Sequence, residues 1–336
     1  MKPLNAFRHR MLGLSLVELM VAITIGLIIL TAVSTLFVSS KQTYTTQDSL
    51  ARLQENARFA MQFLIKDIRL AGYYGCLHNV DASTTNTSLN GGTTFNNDAF
   101  FPFEGVENAT GTWSRSGTAL PASMKSGTDA IVVRLANESV SSTVAPGMLN
   151  EASTLNVNDA APFATNDDVV VSDCEGADVM RVTGIAGNAL QHTAGGLKKA
   201  YEPPARVYQM VTRQYFIQTK TVNGKTVPVL RRQENGGLAD ELVEGIESLQ
   251  FLYGEDTDTP PDGVPNIYRK ANTVVNWARV YSIRVGILAR TIDDKNPDLD
   301  TNSYDVDGDG TNEVAAPGDR YRRRIFQATV QLRNML

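Results

Sequence analysis

The sequence predicts an α+β protein in which a long N-terminal α-helix, membrane anchor first and amphipathic stem second, packs on a strand-rich antiparallel β domain. Three observations predict it. Residues 14–38 are apolar apart from one carboxylate, Glu18. Leu50, Leu53, Ala57, Ala60, Leu64 and Ile68 then continue at helical spacing, with no proline between Pro3 and Pro102. The remaining chain is a series of β-type runs separated by turn residues.

Each element follows in order. The basic flank MKPLNAFRHRM holds Lys2, Arg8 and Arg10 and no acid, so the positive-inside rule keeps it cytoplasmic and exports the rest. At a rise of about 1.5 Å per residue, the apolar run is long enough to cross a hydrocarbon core of about 30 Å. No small-residue cleavage site follows it, so the helix is expected to continue from about Leu14 to about Ala71 and stop near Gly72, on the order of 85 Å in all. Beyond it, a Thr/Asn/Gly/Ser-rich stretch from Asn79 to about Ala99 reads as an exposed loop. Strand-like runs follow in AIVVRLA, DVVVSDC, DVMRVTGI and RVYQMVTRQYFIQT. In TVNGKTVPVL, Asn223 and Gly224 stand between alternating apolar residues and predict a two-residue hairpin. The last third reads as three strand-like segments around two acidic loops. The arginines at 320, 322, 323 and 324 are expected to form a solvated edge that discourages strand-to-strand aggregation, with a contact to acidic neighbours as the alternative.

Composition narrows the function. The 336 residues carry a formal charge of −5, and losing the three leader cations makes it −8, which advertises no nucleic-acid surface. The only two cysteines, Cys76 and Cys174, both follow the apolar segment; in an exported domain they read as one disulfide, in the cytosol as reduced thiols, and the topology favours the bridge. Three histidines, His9, His78 and His192, show no metal-ligand spacing, and no GxSxG, HExxH, P-loop or dinucleotide motif occurs. An enzyme is not expected.

The carboxylate at Glu18 is costly in hydrocarbon and calls for a partner. Here the sequence resembles a family. A basic leader ending in Gly13, followed by LSLVELMVAITIGLIIL with Glu18 fifth after that glycine, is similar to the class III leader and N-terminal helix of type IV pilins and type II secretion pseudopilins. The resemblance implies cleavage by a prepilin peptidase between Gly13 and Leu14, methylation of the new amino terminus, and pairing of Glu18 with a neighbouring subunit's terminal ammonium as an assembly register. Leu14 stands where phenylalanine is commonest in the family. The C-terminal phrases, with AGYYGC and VSDCEGADVMRVT, resemble a minor pilin and also the J-type pseudopilins, leaving about 79–128 unmatched. The organisation implied is a cleaved leader (1–13), a transmembrane and stem helix (14–75) and a periplasmic domain (76–336). The resemblance further implies an inner-membrane protein that passes into a pilus and helps initiate assembly at or near its tip. Its partners would be other minor pilins, the major pilin, a tip adhesin, the prepilin peptidase and the inner-membrane assembly platform. A type II secretion pseudopilin is the alternative.

One further motif concerns a cofactor. In DVDGDGTNE, Asp305, Asp307 and Asp309 are spaced as the first three ligands of an EF-hand-type calcium loop, with Gly310 at the sharp turn and Glu313 at the ninth place. The twelfth place holds Ala316 instead of a bidentate glutamate. Two readings stand: a weak calcium site, or a solvated acidic turn. The second loop, with Asp256, Asp258 and Asp262, is interrupted by Pro260 and Pro261 and favours the turn.

Overall fold

The structure is a computed structural model that describes residues 15–76, 85–86, 101–193 and 197–335. The expected processing site, Gly13 and Leu14, lies outside the described residues, as do His9, His78 and nearly all of the 79–99 stretch. The chain divides into two compact units, Met1–Leu50 and Ala51–Leu336, and the division falls within the one long helix, α1 (Leu16–Leu70).

In the first unit, α1 exposes its large apolar side chains from Leu16 to Val38, and it is long and apolar enough to cross a membrane. The hydroxyls inside this run do not disturb it. Thr24 donates to the carbonyls of Met20 and Val21, and Thr31 to that of Leu27, so these two hydroxyls are satisfied by their own helix.

The second unit begins with the packed part of α1. Leu53, Ala57, Ala60, Met61, Leu64 and Ile68 are buried, at three- and four-residue intervals that make one stripe. The helix ends where Gly72 takes φ +72°, the left-handed conformation that a C-terminal glycine supplies. The exit is pinned: Gly72 N–H donates to Arg134 O at 2.9 Å, and Ala136 N–H to Tyr73 O at 2.8 Å.

The strands in chain order are β1 (Thr85–Asn86), β2 (Phe103–Val106), β3 (Ala130–Thr143), β4 (Leu155–Asn156), β5 (Asp168–Ser172), β6 (Ala177–Arg181), β7 (Gly184–Ala186), β8 (Ala189–Gln191), β9 (Arg206–Val222), β10 (Lys225–Glu234), β11 (Ala239–Glu244), β12 (Ile246–Glu255), β13 (Ile267–Arg269), β14 (Val280–Arg290) and β15 (Arg323–Gln331). The larger sheet runs β1-β6-β5-β9-β10-β11, with β3 also on β9 and β2 on β3. A second sheet runs β13-β12-β14-β15, and β4-β8-β7 form a small third. Every described pairing is antiparallel except β1 with β6. The buried stripe of α1 shares its core with both main sheets, through Ile131, Val133, Tyr215 and Ile217 of one and Leu249, Phe251, Ile283 and Val285 of the other.

The Asn223-Gly224 hairpin forms as the sequence predicts. Val222 pairs with Lys225, and the two central residues take φ 51° and 77°, as a type I′ turn requires. The first of the three strand-like segments expected in the last third, which contains LVEGIESLQFLYGE, is in contrast not one strand. Gly245, at φ +80°, divides it, and the chain passes there from β11 in the large sheet to β12 in the second. A Cβ at Gly245 would come within 2.7 Å of Arg290 O, so the change of sheet depends on a bare backbone.

The arginine run also departs from expectation. Arg323 is not on a solvated edge: its side chain is fully buried and ion-paired with Glu247 at 2.5 Å, Asp319 at 2.6 Å and Asp300 at 3.0 Å. Three acids around one planar guanidinium compensate its loss of water, and they clamp the loop between β14 and β15 to the sheet.

Candidate functional site

The residue singled out in the apolar run is Glu18, in the exposed first turn of α1. Ser15 precedes the helix and accepts its first bond, from Leu19 N–H at 3.1 Å. Ser15 N–H donates to Glu18 Oε2 at 3.0 Å, and Glu18 N–H donates to Ser15 Oγ at 3.2 Å. No other hydrogen bond to the Glu18 side chain occurs among the described residues.

Cys76 and Cys174 form a disulfide, with Cα atoms 5.0 Å apart and a sequence separation of 98. It joins the chain just beyond α1 to the turn between β5 and β6. The approach is close: a Cβ on Gly75 would meet Ser172 Oγ at 2.9 Å and the Tyr208 ring at 3.0 Å.

Inside the core, α1 carries a carboxylate that sequence reasoning passed over. Asp67 is buried; Tyr215 donates its hydroxyl to one oxygen, and Arg213 reaches the other at 3.0 Å while also pairing with Glu234 at 2.9 Å. Burial and the neighbouring Asp67 charge push the Tyr215 hydroxyl well above its usual range, which keeps it a proton donor. Asp67 adjoins Ile68 and lies three residues from Leu64, on the buried stripe, so the helical spacing itself was a signal for it.

Among the described residues, two groups bring three or more carboxylates close enough to share a cation. Asp305, Asp307, Asp309 and Glu313 each place an oxygen within 4.8 Å of the others, as do Asp256, Asp258 and Asp262. The first loop has the turn chemistry its spacing suggests. Asp305 accepts the N–H groups of Gly308 and Gly310 at 2.7 and 3.0 Å, Asp307 that of Asp309 at 3.0 Å, and Glu313 that of Val306 at 2.7 Å. The loop lies directly on β14, where a Cβ at Gly286 would come within 1.9 Å of Val306 O.

A second residue missed from sequence stands in this loop. The Lys270 ammonium lies 3.4 Å from Asp309, 3.5 Å from Glu313, 3.8 Å from Glu107 and 3.9 Å from Asp307. The loop thus already holds one cation, supplied by the chain itself. Burial works against the Lys270 charge, and the carboxylates overcome it and raise its pKa. Burial, with Glu313 beside it, raises Asp307 to about 6. Asp309 is held low, because the Thr311 hydroxyl and amide outweigh its burial.

In the second loop, buried Asp256 accepts N–H groups from Asp258, Asp262 and Gly263 at 2.8–2.9 Å, which makes it the hub of a turn. His192 is held between the carbonyls of Ser153 and Thr193, away from any acid cluster.

Comparison with known proteins now bears on this arrangement. Residues 214–334, from within β9 to the end of the second sheet, match the family described as Type IV Pilus-assembly protein W (PilW). Residues 8–34 match the Prokaryotic N-terminal methylation motif. No curated protein and no solved structure matches the chain. With one match towards each end of the chain, and an apolar helix followed by antiparallel sheets, this protein is similar to the type IV pilus minor pilin PilW.

Proposed function

We propose that this chain is a minor pilin that helps initiate assembly of a type IV pilus and is incorporated at or near its tip. The carrying observation is that the W-type match and the methylation motif lie on one chain whose apolar helix carries an exposed carboxylate, Glu18, in its first turn. In this reading the helix anchors the subunit in the inner membrane, and the domain it carries is periplasmic until the subunit enters the filament. A prepilin peptidase removes residues 1–13 and methylates Leu14. Other minor pilins, the major pilin, a tip adhesin and the assembly platform are the partners. Catalysis plays no part in this reading.

An unpaired carboxylate is tolerated poorly in hydrocarbon, and a subunit that brings a terminal ammonium to Glu18 removes that penalty. The glutamate therefore favours one stagger between helices. Intact and N-terminal mass spectrometry of the membrane-extracted protein tests the processing: a methylated Leu14 terminus is expected, and a retained leader overturns it. Loss of co-purified pilins from Glu18→Ala tests the register, and unchanged co-purification overturns it. Recovery of the subunit with type II secretion components, and not with pili, would favour the pseudopilin alternative.

A further inference from the structure

β15 is the outer strand of the second sheet, and at nine residues it is the longest edge strand among the described elements. Its pairing with β14 fixes which way each amide points. Leu332 N–H donates to Tyr281 O at 2.9 Å at one end of the pairing, and Thr291 N–H to Arg322 O at 2.9 Å at the other. Between them the register is unbroken, from Ser282 opposite Gln331 to Arg290 opposite Arg323. Bonded and non-bonded pairs alternate along an antiparallel ladder, so the even-numbered residues from 322 to 332 turn their backbone groups to β14 and the odd-numbered ones turn theirs away. The amides of Ile325, Gln327, Thr329 and Gln331 therefore face outward, and none has a hydrogen-bond partner among the described residues.

The edge also lacks the usual guards. Residues 325–332 carry no charge, proline or glycine, whereas β11, an edge of the larger sheet, has Asp240, Glu241 and Glu244 in its six residues. On the core side the sheet stops short. Phe326 and Ala328 are only half-buried, although Ile287 and Val285, which they face on β14, are fully buried. One more strand with apolar residues on that face would complete their burial. Arg324 and Arg333, both exposed and without an ion-pair partner among the described residues, stand at the two ends of the neutral run. A second copy of β15 laid on this edge would bring arginine against arginine, Arg324 near Arg333 if antiparallel and near Arg324 if parallel. The charges fit an acid-bearing strand instead.

We infer that the open edge of β15 is a strand-addition site: it accepts an extended segment of another pilin subunit, neutral along its centre and carrying a carboxylate at one or both ends, through main-chain hydrogen bonds to residues 325–331. This rests on the minor-pilin reading above. The outward amides supply the affinity, and Arg324 and Arg333 set which segment fits.

The experiment uses the full chain, expressed with the other pilins of its own system and extracted from membranes. A photo-crosslinking residue in place of the exposed Thr329 records what lies on the edge, and peptide mass spectrometry locates the linked segment. A link to another pilin, within a segment that carries Asp or Glu, is expected. Thr329→Pro removes an outward amide and none of the bonds to β14, so it is expected to lower the co-purified partner about tenfold while the unfolding midpoint stays near the parent's. Thr329→Lys sets a charge on the neutral edge and is expected to act in the same direction, which keeps the test decisive should the proline disturb folding. Arg324→Glu with Arg333→Glu is expected to weaken the association as well, and raised salt to weaken that of the parent. Full co-purification by both Thr329→Pro and Thr329→Lys overturns the inference and leaves the minor-pilin reading standing. If no pilin accompanies the parent, that reading falls, and the inference with it. A link from position 329 to a second copy, or back to residues 87–100 of the same chain, also overturns the inference, because this chain would then fill the edge itself.

Discussion

Two carboxylates on the same helix are satisfied in opposite ways. Glu18 is exposed in an apolar stretch and bonded to the first turn of its own helix; Asp67 is buried and bonded to two residues of β9. The apolar side chains show the same division. Leu16 to Val38 are exposed, whereas Leu53 to Ile68 form a stripe buried against both main sheets. Helical geometry is common to both parts, so the difference lies in what satisfies them. The packed part finds its partners in its own domain. The apolar part is composed for surroundings that its own chain does not supply, and it is long and apolar enough to cross a membrane.

The largest effect should come from the covalent link just past the packed part. Removing the bridge with Cys76→Ser and Cys174→Ser frees a loop of 98 residues, for which the chain-entropy model gives about 4.7 kcal/mol as an upper figure. The unfolding midpoint of the domain, followed in detergent-solubilised full chain, is expected to fall sharply, and to fall equally in unmutated protein under reductant. Two free thiols titrated in denatured, unreduced protein would contradict the bridge.

Next come substitutions within the helix that compare its two parts directly. Leu64→Ala removes a side chain with no exposed surface and should cost about 2–5 kcal/mol. Ile28→Ala removes one that is 69% exposed and should leave the domain's stability within about 0.5 kcal/mol. Comparable losses from both would dissolve the distinction.

Asp67→Ala should follow at about 2–3 kcal/mol, since it leaves the Tyr215 hydroxyl buried without its acceptor and Arg213 with only Glu234. Asp67→Asn keeps an oxygen for Tyr215 and should cost less. A double-mutant cycle with Tyr215→Phe checks it: additive losses would mean that the hydrogen bond contributes nothing.

Where pattern is local, the fold was legible. The 3.6-residue spacing gave the helix and its stop at Gly72, and Asn223-Gly224 gave the hairpin, because three or four neighbouring residues determine each. Gly245 was not legible as a change of sheet, since apolar residues continue on both sides and one glycine in a strand fits a bulge equally well. Strands of two or three residues, such as β4 and β8, are too short to show a period. The buried state of Arg323 depends on Glu247, 76 residues away, and on Asp300, so a run of arginines gave no local sign of it. The candidate sites divide in the same way. The Asp305 spacing brought its four carboxylates together as read, while Lys270 enters that loop from 35 residues upstream and could not be paired with it from sequence.

The smallest effect concerns a third way of keeping a carboxylate, in which like charges crowd one another. Asp307 is raised to about 6 by burial and by Glu313, whereas an unfolded aspartate titrates near 3.9. The folded protein therefore binds this proton more tightly, and the group's contribution to stability is present below about pH 4 and is lost as pH rises through about 6. Asp309, held low, acts in the opposite direction: its contribution is present above about pH 4 and lost on acidification. Asp307→Asn should flatten the slope between about pH 4 and pH 6 and stabilise the domain near neutrality by on the order of 1 kcal/mol, allowing for solvent screening. Thermal unfolding of both proteins across that window checks it, and parallel curves would refute it. Calcium sharpens the same comparison. A dication that binds the loop should remove the slope in the parent by neutralising the carboxylates, should raise its midpoint only at about 10⁻⁴ to 10⁻³ M, and should have less effect on Asp307→Asn. If calcium moves neither protein, Lys270 is the counter-ion that this loop uses, and the aspartate spacing describes a turn.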